Sequence, residues 1–380
     1  MALLKQRRET RMKKKLNKLL RVFVLPFVIL FVLASSSMAD FKDPLDYGAI
    51  EQEKPLNKPF IDSAKSGHTL VVVGPRGLIL YSNDGGGKWA QAQVPVQSDL
   101  VAIDMVNESK GWAVGHDGVI LATTDGGATW VKQLDGRMAS KQFINYYSKR
   151  LKQGDSSVEK ALELTELNYR DGPALPFLDV WFRDELTGFA VGGFGNIART
   201  DDGGKTWTPW TDRIANESGF HLTSVVGIGD DVFIGSERGV LFRLNAERQL
   251  FEIIETGYSG SFTGITGANG LIIAYGLGGA AYQSTDRGNT WTEVKDLPRS
   301  TINDAFRRSN DKGYIFANQS GKLVISDKNF ENLEVIDCGE PVSFTSILEI
   351  SDRELLVTDL QGLSKVSLVD HKMTRVTSQE

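Results

Sequence analysis

The chain of 380 residues reads as an all-β protein: a seven-bladed β-propeller with four-stranded blades and a helical hairpin inserted between blades two and three. Three observations predict this fold: a tryptophan-ended turn motif in four copies, a glycine turn in seven copies, and a near-constant interval between those turns. The motif runs from Ser82 to Trp89, Thr123 to Trp130, Thr200 to Trp207 and Ser284 to Trp291, with the shared form S/T-x-D-x-G-x-(T)-W. Asp84, Asp125, Asp202 and Asp286 are placed to accept backbone N–H groups inside a hairpin. Trp89, Trp130, Trp207 and Trp291 are placed to cover its base, and the glycine supplies positive φ. These are structural tasks.

Residues 1–21 carry nine Lys or Arg against Glu9 alone, the apolar run Val22–Leu33 follows, and small residues precede a cut after Ala39. That is the pattern of a secretory signal over 1–39, with Met12 as an alternative start. An uncleaved anchor is the other reading, but twelve apolar residues interrupted by Pro26 fall short of the roughly 20 that span a bilayer. Without residues 1–39 the charge falls from −5 to −13, which argues against sequence-independent nucleic-acid binding, while the signal points to an exported, periplasmic or lumenal protein, peripheral to the membrane and expected to be a monomer on its own. An acidic, proline-containing leader occupies 40–59 and the propeller 60–380.

Each motif is preceded by an apolar strand, a short glycine turn and a second strand, as in Trp112–Leu121. Where the motif has decayed the turn persists, so its second glycines are 77, 118, 195, 239, 279, 321 and 362, spaced by 41, 77, 44, 40, 42 and 41 residues. All but one interval suit a four-stranded blade. In unit two the strands are A, Leu100–Val106; B, Gly111–Gly115; C, Val119–Thr123; and D, Thr129–Leu134. The ring closes either through Lys372–Val376 or through leader residues Tyr47–Ile50.

The long interval holds a surplus over 136–172 whose apolar period changes to that of helices, about 139–152 and 156–168, with Ser156 and Glu159 as a capping box. In an antiparallel meander the motif hairpins (C–D) ring one face, while the B–C turns and this insertion share the other. The first helix carries Arg137, Lys141, Lys149, Arg150 and Lys152, which invites an anionic partner. Asp155, Glu159, Glu163 and Glu166 on the second offer internal neutralisation instead.

The four motifs resemble the BNR or Asp-box repeat. Seven such units behind an export signal resemble the photosystem II stability and assembly factor family, propellers that help insert a membrane reaction-centre subunit. That resemblance implies a non-catalytic scaffold whose partner is a membrane protein or membrane-associated complex. The alternatives are a propeller that binds envelope glycan and a sialidase-like glycosidase. The glycosidase lacks its F/Y-R-I-P arginine element, Arg213-Ile214-Ala215 being the nearest string. No metal or cofactor is expected, since four histidines and one cysteine leave little for a zinc cage, and each box offers about one carboxylate to a calcium ion.

The candidate partner face therefore comprises Arg76, His116, Asp117, Phe194 and Arg238 from B–C turns with Tyr146, Tyr147 and Arg150 from the insertion. His116 beside Asp117 is either an acid/base pair or two solvated turn residues. Tyr147 is either an anchor for the partner or a staple holding the hairpin to blade three. Replacing the insertion with a short turn is expected to leave melting nearly unchanged.

Overall fold

The computed structural model describes residues 43–377 apart from 171, 173, 269, 340 and 341, so the export signal lies outside the described residues. Seven antiparallel sheets of four strands follow one another along the chain, each formed by four consecutive strands. The apolar sheet faces pack blade against blade, and each of the seven junctions holds its own buried cluster. Between blades two and three, for example, Trp112 stacks on Phe182 with ring centroids 3.4 Å apart and Trp207 meets Phe182 edge-on.

The B–C turns fix the blade count. In blade one Leu78 N–H donates to Pro75 O, with Arg76 at φ 59° and Gly77 at φ 71°, the left-handed pair of a type I′ hairpin. All seven second glycines have positive φ, including Gly362 at 141°. That conformation is why the glycine persists where the Asp box has decayed.

The two ends of the blades separate as expected. The boxes donate to A–B hairpins, as Gly126 N–H does to Ser109 O, whereas the B–C turns bond the links between blades, as Gly77 N–H does to Ser98 O. The boxes of blades two and five are closed hydrogen-bond circuits. Asp125 Oδ1 accepts from Thr123 Oγ1 and Thr129 N–H at 2.9 Å, Gly127 N–H donates to Thr123 Oγ1, and Trp130 Nε1 donates to Gly127 O at 2.9 Å. The same Asp Oδ1 pairing recurs at Lys88, Thr206 and Thr290. Asp125→Ala is therefore expected to lower stability by about 1–3 kcal/mol in denaturant unfolding while leaving partner capture by the folded fraction intact. Lost capture at full stability would overturn the structural assignment.

Ring closure falls to the C-terminal strand Met373–Arg375, which pairs with Ser364–Val366. The leader does not pair there. It crosses blade one instead, where Ala49 N–H donates to Val94 O and Gln97 N–H to Pro44 O. At the seam Phe60 N–H donates to Asp359 O and Ser63 and Ser346 hydroxyls meet at 2.8 Å; within blade seven, Arg375 pairs with buried Asp359 at 2.7 Å.

The insertion forms helix α1 (Gly136–Lys152) and helix α2 (Glu159–Tyr169) joined through a 3-10 turn at Ser156–Val158. The cap of that turn is Asp155, whose Oδ1 accepts Ser157 N–H. The expected Ser156–Glu159 box is not formed, because Asp155 already supplies the acceptor. The expectation of a dispensable insertion is also corrected. Ala139, Phe143 and Tyr169 are buried in the same cluster as Trp112 and Phe177, so removing the hairpin would open the junction between blades two and three.

Candidate functional site

Four B–C turns put a non-glycine or catalytically suggestive residue on the face that carries the insertion. Arg76, Asp117, Phe194 and Arg238 each occupy the first left-handed position of a turn, at φ 54–59°. For a residue with a Cβ that conformation costs about 1 kcal/mol, and it persists where the surroundings hold it. Neighbours fix each turn: Asp99 Oδ1 accepts Arg76 N–H at 2.8 Å, and His221 Nδ1 accepts Phe194 N–H at 2.9 Å. The side chains of Arg76, Phe194 and Arg238 stand exposed, Phe194 at 55% with its ring edge-on to His221. Asn168 of α2 donates to Phe194 O, which sets the turn of blade three beside the insertion.

His116 and Asp117 do not act on one another. The His116 ring is exposed, while Asp117 Oδ2 accepts the Ser98 hydroxyl at 2.7 Å. A hairpin directs neighbouring side chains apart, and this one does.

The insertion residues divide. Tyr147 is fully buried against Val158 and Ala161, and its hydroxyl donates to Asp212 Oδ1 at 3.1 Å; burial first, and then the Asp212 charge, push its ionisation well above the ordinary tyrosine range. Arg150 bridges Asp212 at 2.6 Å and Asp155 at 2.8 Å and lies over the Tyr146 ring. Placing Tyr147 and Arg150 on a partner surface is thus corrected: they hold the hairpin to the link after blade three. Lys141, Lys149 and Lys152 are exposed, and among the described residues none of the three forms an ion pair. The acidic residues of α2 do not neutralise them; the neutralised cations of the insertion are Arg137, paired with Asp46 at 2.7 Å, and Arg150.

Two features were missed at the level of sequence. A cavity of about 360 Å³ opens between the leader and blade one, lined by Ile50, Lys58, Pro59, Arg76 and Leu78. The second is the central channel, a cavity of about 540 Å³ lined by half-buried Asp62, Asp104, Asp179 and Asp304. Three of these aspartates share one register: Asp179 and Asp304 directly follow a strand A bulge, and Asp62 stands in the opening pair of its strand. Each stitches two blades. Asp62 Oδ2 accepts Ile103 N–H, Asp104 Oδ2 accepts Phe182 N–H, Asp179 Oδ2 accepts Val225 N–H and Asp304 Oδ2 accepts Ile347 N–H, all within 2.7–2.9 Å. Burial pushes Asp62 up to about 7 and Asp104 up to about 6, with Asp179 and Asp304 raised by the same cause.

Against this geometry the comparisons are specific. The family described as photosynthesis system II assembly factor YCF48 matches residues 50–148 and 159–326, interrupted only at the insertion. The chain belongs to the YCF48 family. The photosystem II assembly lipoprotein Ycf48 of Synechococcus sp. (strain CC9902) is 29% identical over 180 residues, a stretch that is 46% of this chain and about half, 51%, of that relative. Among solved structures, YCF48 bound to D1 peptide superposes with a TM-score of 0.59 at 17% identity, covering 85% of this chain and 99% of the other. YCF48 from Cyanidioschyzon merolae gives 0.58 at 15% identity, over 83% and 96% of the two chains. The WD40 propeller domain of Doa1 gives 0.57 at 11%, over 85% and 96%, so these structural likenesses speak for the fold.

Proposed function

We propose that this YCF48-family chain is an exported, membrane-associated scaffold that holds a membrane protein of the photosystem II reaction centre during assembly, through its B–C face. The observation that carries the reading is the outward presentation of Arg76, Phe194 and Arg238 on strained turns beside the unpaired lysines of α1. Arginine and aromatic residues are the usual anchors of protein interfaces. A structure of YCF48 holds a D1 peptide, and a partner of that kind suits a scaffold. A glycan-binding propeller would cluster exposed aromatics here. The exposed aromatics of this face are Phe194 on blade three and Tyr47 in the leader over blade one.

The test is crosslinking from solubilised photosynthetic membranes followed by detection of D1. The variant Lys141→Glu/Lys149→Glu/Lys152→Glu with Arg238→Glu is expected to melt as the parent does and to lose D1 capture at least about tenfold, equivalent to 1.4 kcal/mol. Lys205→Glu, in the Asp box of blade three, is expected to retain it. Undiminished capture by the four-site variant would refute the face.

A further inference from the structure

We infer that the B–C face is also the surface by which the propeller lies on a lipid bilayer. This rests on the reading of that face as the working one and adds lipid as a direct contact. Twelve large apolar side chains are exposed among the described residues. Seven belong to elements of this face: Tyr47 and Ile50 of the leader, Met138 and Leu167 of the insertion, and Phe194, Leu277 and Leu360 of the turns of blades three, five and seven. Only Leu186 and Val369 belong to hairpins at the opposite end; Val131, Ile253 and Val335 sit on outer strands.

Their placement follows the ring. A single protein partner would be met by one contiguous patch, whereas these residues are spread around the ring, over blades one, three, five and seven. Arg76 and Arg238 stand between them, and the acid of the blade-two turn, Asp117, is turned onto Ser98. Apolar side chains at the acyl boundary with arginines at the headgroup phosphates are what an interfacial surface requires.

The leader lies along the same end of blade one, where Pro44 O accepts Gln97 N–H in the link between blades one and two. The Synechococcus relative is a lipoprotein. In this chain Cys338 is buried between blades six and seven, and the contact is assigned to the protein surface itself.

The test uses the full chain with Cys338→Ala and single cysteines Leu277→Cys, Leu360→Cys, Leu186→Cys or Val369→Cys, each carrying an environment-sensitive fluorophore. These are mixed with phosphatidylcholine/phosphatidylglycerol vesicles containing nitroxide-labelled acyl chains. Quenching at Leu277 and Leu360 is expected to exceed that at Leu186 and Val369 several-fold, and Phe194→Asp/Leu360→Asp is expected to abolish the difference at Leu277. Equal quenching at both ends, a reversed order, or protection of Leu277 and Leu360 only when a membrane protein is added would overturn the inference. The vesicles contain no protein, so failure here leaves D1 capture untouched. Lost capture with lipid quenching intact would instead sink the scaffold reading alone.

Discussion

Asp62→Asn is expected to stabilise the folded ring at pH 8 by roughly 1–3 kcal/mol, the gain from removing the charge less the cost of one lost acceptor. Asparagine keeps the oxygen that accepts Ile103 N–H, gives up the one that accepts Ser63 N–H, and removes a charge that burial opposes. The folded carboxyl titrates at about 7 and the unfolded one at 3.8, so between those values the folded chain holds the proton that the unfolded chain has released. The contribution of Asp62 is therefore complete below pH 3.8 and is lost as pH rises through 7. The aspartates of the boxes run the other way. The Thr290 N–H holds Asp286 down at about 2, so its contribution is lost only as pH falls below the ordinary carboxylate range. Denaturant unfolding between pH 4.5 and pH 8 isolates the channel. The parent should weaken across that window and Asp62→Asn should weaken less; parallel curves would show that the channel carboxyls do not resist ionisation.

Phe143→Ala is expected to cost about 3–5 kcal/mol, read as a lowered denaturant midpoint at unchanged slope. The ring of Phe143 is buried in the junction of blades two and three, and its loss leaves a cavity beside Trp112 and Phe177. Lys149→Glu, on an exposed position of the same helix, should stay within about 0.5 kcal/mol of the parent. A mild Phe143→Ala would mean that α1 docks on a propeller already complete without it.

The blade count was legible because each B–C turn brings its second glycine to positive φ, and glycine at 239, 321 and 362 survives where no box remains. The insertion was legible from its period. Its burial was misjudged: Phe143, Tyr147 and Leu151 form one helical stripe, and such a stripe is core before it is interface, as Tyr147 shows. Tyr146, one step round the helix, remains partly exposed. The channel aspartates were hidden for another reason. On a strand they read as outward polar residues, and only the ring, with its bulged inner strands, turns Asp62, Asp179 and Asp304 onto neighbouring backbones.

The seam between blades seven and one carries no exchanged strand, because each blade takes all four strands from one continuous stretch of chain. A polypeptide emerging from its amino end can therefore finish every hydrogen-bonded ladder of blade one before blade seven has appeared. No edge has to wait, unpaired and adhesive, for a strand synthesised some 300 residues later. What remains for the end is one docking event, in which Phe60 N–H meets Asp359 O and Ser346 finds Ser63. Slow, long-range closure is thus confined to the last step, and a seam variant such as Ser63→Ala would delay that step without altering how the preceding blades form.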